Sequence, residues 1–205
     1  MLYFIVTTSL FNECHKRKLQ YINAINKLKQ VINKLSIENY KIIIVENNDN
    51  KNTFLDTLEC TTFYTNNNSL KTINRGRKEL QDILDCIDKF NINDNDFIVK
   101  MTGRYILDDD SEFMNVIKDI DKTKYDCVIK YGPYMKPVNY KMQDCITGLI
   151  GTTCGYIKKI EKPEDYVALE WNWAKVTYLM EDENIYKVDK LGINICPGST
   201  EYFKV

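Results

Sequence analysis

The most restrictive stretch of this chain is Lys41-Ile-Ile-Ile-Val45, which runs out into Glu46-Asn47-Asn48. β-Branched side chains lose rotamer freedom in a helix and pack well on a pleated surface, and a run this short is no helix core, so it reads as a buried strand. A helical period precedes it. Between Lys16 and Ser36, Leu19, Ile22, Ile25, Leu28, Val31, Ile32 and Leu35 recur at three- and four-residue spacing, with lysines on the wet face. Before that helix, Leu2 to Val6 is a further apolar run ending in Thr7-Thr8-Ser9. Strand, helix and wholly apolar strand form the unit from which parallel sheets covered on both faces are built.

The remaining segments extend the unit. Thr61 to Thr65 is β-prone and closes on Asn66-Asn67-Asn68. Leu70, Ile73, Leu80, Ile83, Leu84, Ile87 and Phe90 predict a second long helix, with Arg75-Gly76-Arg77 near its start. Phe97 to Val99 is a third buried strand, leading into Lys100, Thr102, Gly103 and Arg104 and then Asp108-Asp109-Asp110. Phe113, Val116, Ile117 and Ile120 indicate a short helix, and Asp126 to Tyr131 a strand ending at Gly132-Pro133. Residues 134–144 have no period and read as loop. Cys145 to Ile150 and Cys154 to Ile157 read as two short apolar runs of strand type, Pro163 to Met180 as a helix, and Tyr186 to Ile195 as a last strand before Pro197-Gly198. The expectation is one α/β domain over residues 1–205, with a mixed, mainly parallel central sheet flanked by helices.

Composition excludes several classes. A formal charge of −1 over 205 residues argues against a nucleic-acid binder, and no run is long enough to span a membrane. The apolar start turns polar at Thr7, too soon for a signal peptide. Seven cysteines with no CxxC pair indicate reduced thiols and a cytoplasmic setting. His15 is the only histidine, leaving little for a Ser-His-Asp triad or a histidine metal site. Neither GxGxxG nor GxxxxGK[ST] occurs, which removes the main support for a dinucleotide or P-loop fold.

What remains is a set of strand ends. Open α/β sheets bind ligands beyond the carboxyl ends of their strands. There the chain offers Thr7, Thr8 and Ser9, then Glu46 and Asn47, then Lys100, Thr102, Gly103 and Arg104. Short polar side chains from three strands suit a nucleotide pocket, although each also suits helix capping.

The chain resembles nucleotide-sugar-dependent glycosyltransferases of the GT-A fold, in particular small single-domain enzymes of large DNA viruses and bacterial surface-glycan clusters. Val6 to Ser9, with Arg17 and Tyr21 after it, is similar to the first nucleotide-contacting strand end and its helix, and Ile43 to Asn48 to the second strand end. Asn74-Arg-Gly-Arg-Lys-Glu79 resembles the N-x-G element, implying donor contacts at Asn74, Gly76 and Arg77. Asp144-Cys-Ile-Thr-Gly-Leu-Ile-Gly151 resembles the strand bordering donor sugar and acceptor, with Thr147 and Gly148 on the acceptor side. Leu169-Glu-Trp-Asn-Trp173 resembles the acceptor-side helix, implying Glu170 as catalytic base, Asp144 as a second candidate, and Trp171 and Trp173 as acceptor contacts. Residues 1–110 then form a nucleotide-binding half and 111–205 an acceptor-side half. A nucleoside diphosphate sugar and a glycan or other hydroxyl acceptor are the implied partners.

One element departs from the pattern. Where the family carries D-x-D to hold Mn²⁺ or Mg²⁺, this chain has Met101-Thr102-Gly103-Arg104. Either Lys100 and Arg104 meet the diphosphate charge without a metal, or Asp108, Asp109 and Asp110 hold the ion one turn later. The triplet also suits a helix start, Arg104 a surface ion pair, and Glu170 a solvated position beside a packing Trp171. A sugar nucleotidyltransferase is the rival enzyme, and a non-catalytic α/β binding or scaffold protein the rival from another class.

Overall fold

A computed structural model describes residues 1–10, 15–49, 51–121, 123–132, 139–196 and 201–205. Cys14 and the turns expected at Pro133 and Pro197-Gly198 lie outside these.

The first half alternates as its apolar periods require: β1 (Leu2–Thr8), α1 (His15–Lys34), β2 (Tyr40–Glu46), β3 (Thr61–Tyr64), α2 (Arg75–Lys89) and β4 (Phe97–Thr102). Then come β5 (Ile106–Leu107), α3 (Glu112–Asp119), β6 (Cys127–Ile129), β7 (Leu149–Thr153), α4 (Cys154–Ile157), α5 (Leu169–Val176), β8 (Ile185–Lys187), β9 (Ile193–Ile195) and β10 (Phe203–Lys204). The central sheet has seven strands in the order β3-β2-β1-β4-β7-β6-β8. β7 runs against β4 and β6, while the other pairings are parallel. The expected mixed, mainly parallel sheet is present.

Because side chains alternate along a strand, each strand feeds two cores. Leu2, Phe4 and Val6 of β1 meet Tyr21, Ile25 and Leu28 of α1, with Phe113 and Met114 of α3 in the same layer. Ile5 faces the opposite side, with Leu80 and Ile83 of α2 and Leu169 and Trp173 of α5. A small sheet, β10-β9-β5, closes the α1 face.

The structure departs from expectation in four places. Leu70 and Ile73 do not belong to α2; both are exposed in the loop before it. Cys154 to Ile157 is a helical turn, since β7 ends at Thr153 and buried Cys154 and Ile157 can pack one turn apart. The helix expected from Pro163 begins only at Leu169, and the preceding loop is held by side-chain bonds described below. Tyr186 to Ile195 is two strands, β8 and β9, in two different sheets. Gly192 (φ +64°) lies between them and packs so closely that an added Cβ would stand 2.4 Å from the Ser111 Cα.

Candidate active site

The carboxyl ends of β1, β2 and β4 form one edge. Register places Thr7 beside Thr102 and Thr8 beside Glu46, and Met101 beside Leu149 of the reversed strand β7. The segment leading into β7, with Thr147 and Gly148, therefore reaches the same edge; the Thr102 amide donates to the Gly148 carbonyl (2.9 Å). α1, α2 and α5 all present their amino-terminal turns here.

On the α2 face a hydrogen-bonded chain crosses the sheet. Glu79, in the second turn of α2, accepts from the Thr7 hydroxyl (2.6 Å) and from the Lys100 ammonium (2.8 Å). Lys100 is fully buried, and its Nζ also donates to Thr102 Oγ1 (3.1 Å) and the Thr147 carbonyl (2.8 Å). Three donors meet three acceptors, which is the condition for burying an ammonium. Lys100 is thereby committed to the protein and holds no proton for a phosphate. The Thr147 hydroxyl then donates to Glu170 Oε1 (3.0 Å), at the start of α5. Glu170 is half-buried, and Trp171 beside it is 55 % exposed.

Trp173 corrects the acceptor-side expectation: it is 1 % exposed and packs α5 onto the sheet. Asp144 lies on this edge but is exposed, its carboxylate accepting from the amide of Cys145 (2.9 Å). Burial holds the Cys145 thiol well above its ordinary pKa, so it is no nucleophile.

Several expected donor contacts have structural partners. Asn74 caps α2 by accepting from the Arg77 amide (3.1 Å) and donates to the Glu164 and Val167 carbonyls, tying α2 to the loop before α5. A Cβ at Gly76 would stand 2.6 Å from Leu169 Cβ, so glycine lets the two helices meet. A Cβ at Gly103 would stand 2.9 Å from the Thr7 carbonyl, to which the Gly103 amide donates. Asn47 donates to Asp82 (2.9 Å), which also accepts from Thr65 (2.6 Å) and Asn67 (2.9 Å). Burial pushes Asp82 up to about 6 despite these donors. Arg75 and Arg77 are exposed at the rim.

On the α1 face, Glu46 is fully buried and accepts from Thr8 Oγ1 (2.7 Å), the Leu10 amide (2.9 Å) and Asn48 Nδ2 (2.7 Å). The Tyr21 hydroxyl accepts from the Ser9 amide (3.0 Å) and donates to the Ser9 carbonyl (3.1 Å), fastening α1 to the end of β1. Arg104 donates through Nε to the Cys196 carbonyl (2.9 Å) and stacks on Tyr105 at 5.3 Å.

The carboxylate triplet goes elsewhere. Asp108 pairs with Asn194 (2.6 Å) and Lys204 (3.1 Å), and Asp109 with Lys27 (2.6 Å). Lys27 lies more than three turns along α1 from His15, roughly 18 Å from the strand edge at 1.5 Å per residue. Asp110 is exposed. The triplet precedes α3, which Ser111 caps. These residues do not fit the metal expectation, and among the described residues no group of three His, Cys, Asp or Glu could hold an ion.

Sequence reasoning missed Glu79 and Asp82. Their signal was available: both interrupt α2 at positions facing the sheet edge, where an apolar residue would continue the period.

By sequence, no family model and no curated protein matches this chain. Solved structures do match by fold. A Bacillus anthracis protein assigned as a glucose-1-phosphate thymidylyltransferase, bound to sucrose, superposes with TM-score 0.59 at 10% identity, over 95% of this chain and 89% of that one. The fold is GT-A-like. A glycosyltransferase involved in glycosylating the PBCV-1 major capsid aligns with TM-score 0.50 at 9% identity, over 92% and 82% of the two chains. The Pyrobaculum calidifontis mannosyltransferase PcManGT, in complex with GDP-Man and Mn²⁺, gives TM-score 0.50 at 8% identity, over 92% of this chain and 56% of that one. At such identities the likeness of this GT-A-like chain is one of fold.

Proposed function

We propose that this chain is a glycosyltransferase that moves a sugar from a nucleoside diphosphate sugar to a hydroxyl acceptor. The observation that carries this reading is the bond from Thr147 to Glu170 at the end of the Thr7–Glu79–Lys100 chain. It aims a half-buried carboxylate over the strand edge beside an exposed indole. In an inverting displacement the acceptor hydroxyl gives its proton to Glu170, its oxygen bonds to the anomeric carbon, and the carbon–oxygen bond to the diphosphate breaks with its electron pair. Trp171 offers the acceptor sugar a flat apolar face. The nucleotide lies across Thr7, Thr8 and Ser9, and Arg104 reaches its diphosphate. A Mn²⁺ or Mg²⁺ ion would neutralise the leaving diphosphate, but the described residues do not form a site for one.

The rival reading is sugar nucleotidyl transfer, favoured by the TM-score of 0.59 to the protein assigned as a thymidylyltransferase. Against it stands the segment after β1, Ser9-Leu-Phe-Asn-Glu13, which has neither glycine nor a basic residue to cradle a triphosphate. Thermal unfolding with UDP-, GDP-, CMP- and dTDP-sugars, and with the four nucleoside triphosphates, tests the choice. Stabilisation by a sugar nucleotide is expected; stabilisation by triphosphates alone would overturn the reading.

A further inference from the structure

Charge is divided between the two faces of the strand edge. Among the described residues the α2 face carries Glu79, Glu170 and a buried cation, Lys100, whose protons are all engaged. The α1 face carries Glu46, saturated by three donors. It also carries two half-buried guanidiniums, Arg17 and Arg104. Arg17 stands one turn before Tyr21 on α1, and Tyr21 is fastened to Ser9 at the end of β1. Arg104 follows Gly103, whose amide is bonded to Thr7 on the same strand, and its own carbonyl accepts from Tyr202 (3.3 Å). Burial raises the pKa of both the Tyr21 and the Tyr202 hydroxyl, and the charges of Arg17 and Arg104 oppose that rise at each. Among the described residues neither pairs with a carboxylate. Nε of Arg104 is engaged by Cys196, which orients the guanidinium.

We propose that the donor diphosphate is held by the paired guanidiniums of Arg17 and Arg104 in place of a divalent cation. This rests on the transferase reading above. It follows from three things together: Asp108 and Asp109 are taken up by Asn194, Lys204 and Lys27, the edge carboxylates Glu46, Glu79 and Glu170 are each bonded within the protein, and Arg17 and Arg104 stand on segments fastened to the end of β1. Guanidinium presents a planar fork of donors that matches two phosphate oxygens at once, and its charge does not depend on pH. The division of charge also keeps the diphosphate away from Glu170, whose proton-accepting role a neighbouring dianion would disturb.

Isothermal titration of the full chain with UDP, GDP and inorganic pyrophosphate, in EDTA and in MnCl₂, tests this, with uridine and guanosine as controls. The wild type should bind a nucleoside diphosphate equally well in both buffers. Arg17→Ala and Arg104→Ala should each weaken diphosphate binding about 10- to 100-fold, as expected for losing one charged hydrogen-bonding partner, with nucleoside binding unchanged. Arg17→Lys should recover part of the loss. Arg17 is a partly exposed helix residue with no carboxylate partner among the described residues, so its variant keeps the test sound if Arg104→Ala misfolds. Binding that requires Mn²⁺, or an Arg17→Ala variant with wild-type UDP and GDP affinity, would overturn the clamp while leaving the transferase reading intact. A wild type that binds neither UDP nor GDP in either buffer would overturn both.

Discussion

At the scale of single residues, Lys100 holds the edge together and Glu170 does the proposed chemistry. Removing one member of a buried ion pair strands the other, so Lys100→Met should lower stability by about 3–5 kcal/mol, read from denaturant midpoints. A cost near zero would mean that Glu79 finds other partners. Glu170→Gln keeps the shape and the Thr147 contact but cannot take a proton, so kcat should fall about 10²- to 10⁴-fold. Donor affinity by calorimetry should stay unchanged; full activity would remove Glu170 from the reaction. Thr147 is a positioning residue. Thr147→Val should lower kcat while leaving donor affinity by calorimetry unchanged, and Thr147→Ser should restore kcat. A Val variant with wild-type kcat would make Thr147 merely structural. The sequence suggested both Trp171 and Trp173 as acceptor contacts and, as the alternative, Trp171 as the packing ring; the structure buries Trp173 and exposes Trp171. Trp173 took the core because it lies on the α5 stripe with Leu169 and Ala174, whereas Trp171 falls off that stripe.

At the scale of elements, the joint between α2 and α5 shapes the site. Gly76 permits the contact, and Asn74 ties the loop before α5 to the α2 cap. Gly76→Ala should force the helices apart at a cost of about 1–3 kcal/mol in thermal or denaturant unfolding, and turnover should fall with it as Glu170 moves. An unchanged midpoint would show that Leu169 yields. Asp82 anchors the second joint, between α2, Asn47 and Thr65. Its folded pKa of about 6 lies above the ordinary carboxylate value, so between about pH 4 and 6 the folded state binds the extra proton. Stability from this group is therefore complete at low pH and lost as pH rises through about 6, by up to about 3 kcal/mol. Asp82→Asn should flatten that part of the stability–pH curve, and an identical curve would refute the assignment. The parallel first half was legible because each strand is an apolar run and each helix has a clean period. The short strands were not. β5, β8, β9 and β10 are two or three residues each, too short for a period, and depend on tertiary pairing. Leu70 and Ile73 carried helical spacing, yet the Asn74 cap starts the helix after them.

For the whole molecule, the sheet gathers three strand ends, a reversed strand and three helix starts along one edge, and open α/β sheets bind ligands beyond such strand ends. The fold is shared by structures named as glycosyltransferases and one assigned as a thymidylyltransferase, and a fold does not fix a function, so the distinction rests on the edge residues of this chain. No helix among the described residues is long and apolar enough to cross a membrane. The central claim is that the bond broken lies between the sugar and the diphosphate. The direct measurement is product release: nucleoside diphosphate from a panel of sugar nucleotides with a simple glycoside acceptor, against pyrophosphate from nucleoside triphosphates with sugar 1-phosphates. The account predicts nucleoside diphosphate release that Glu170→Gln slows about 10²- to 10⁴-fold; pyrophosphate release, with sugar nucleotide formed, would contradict it.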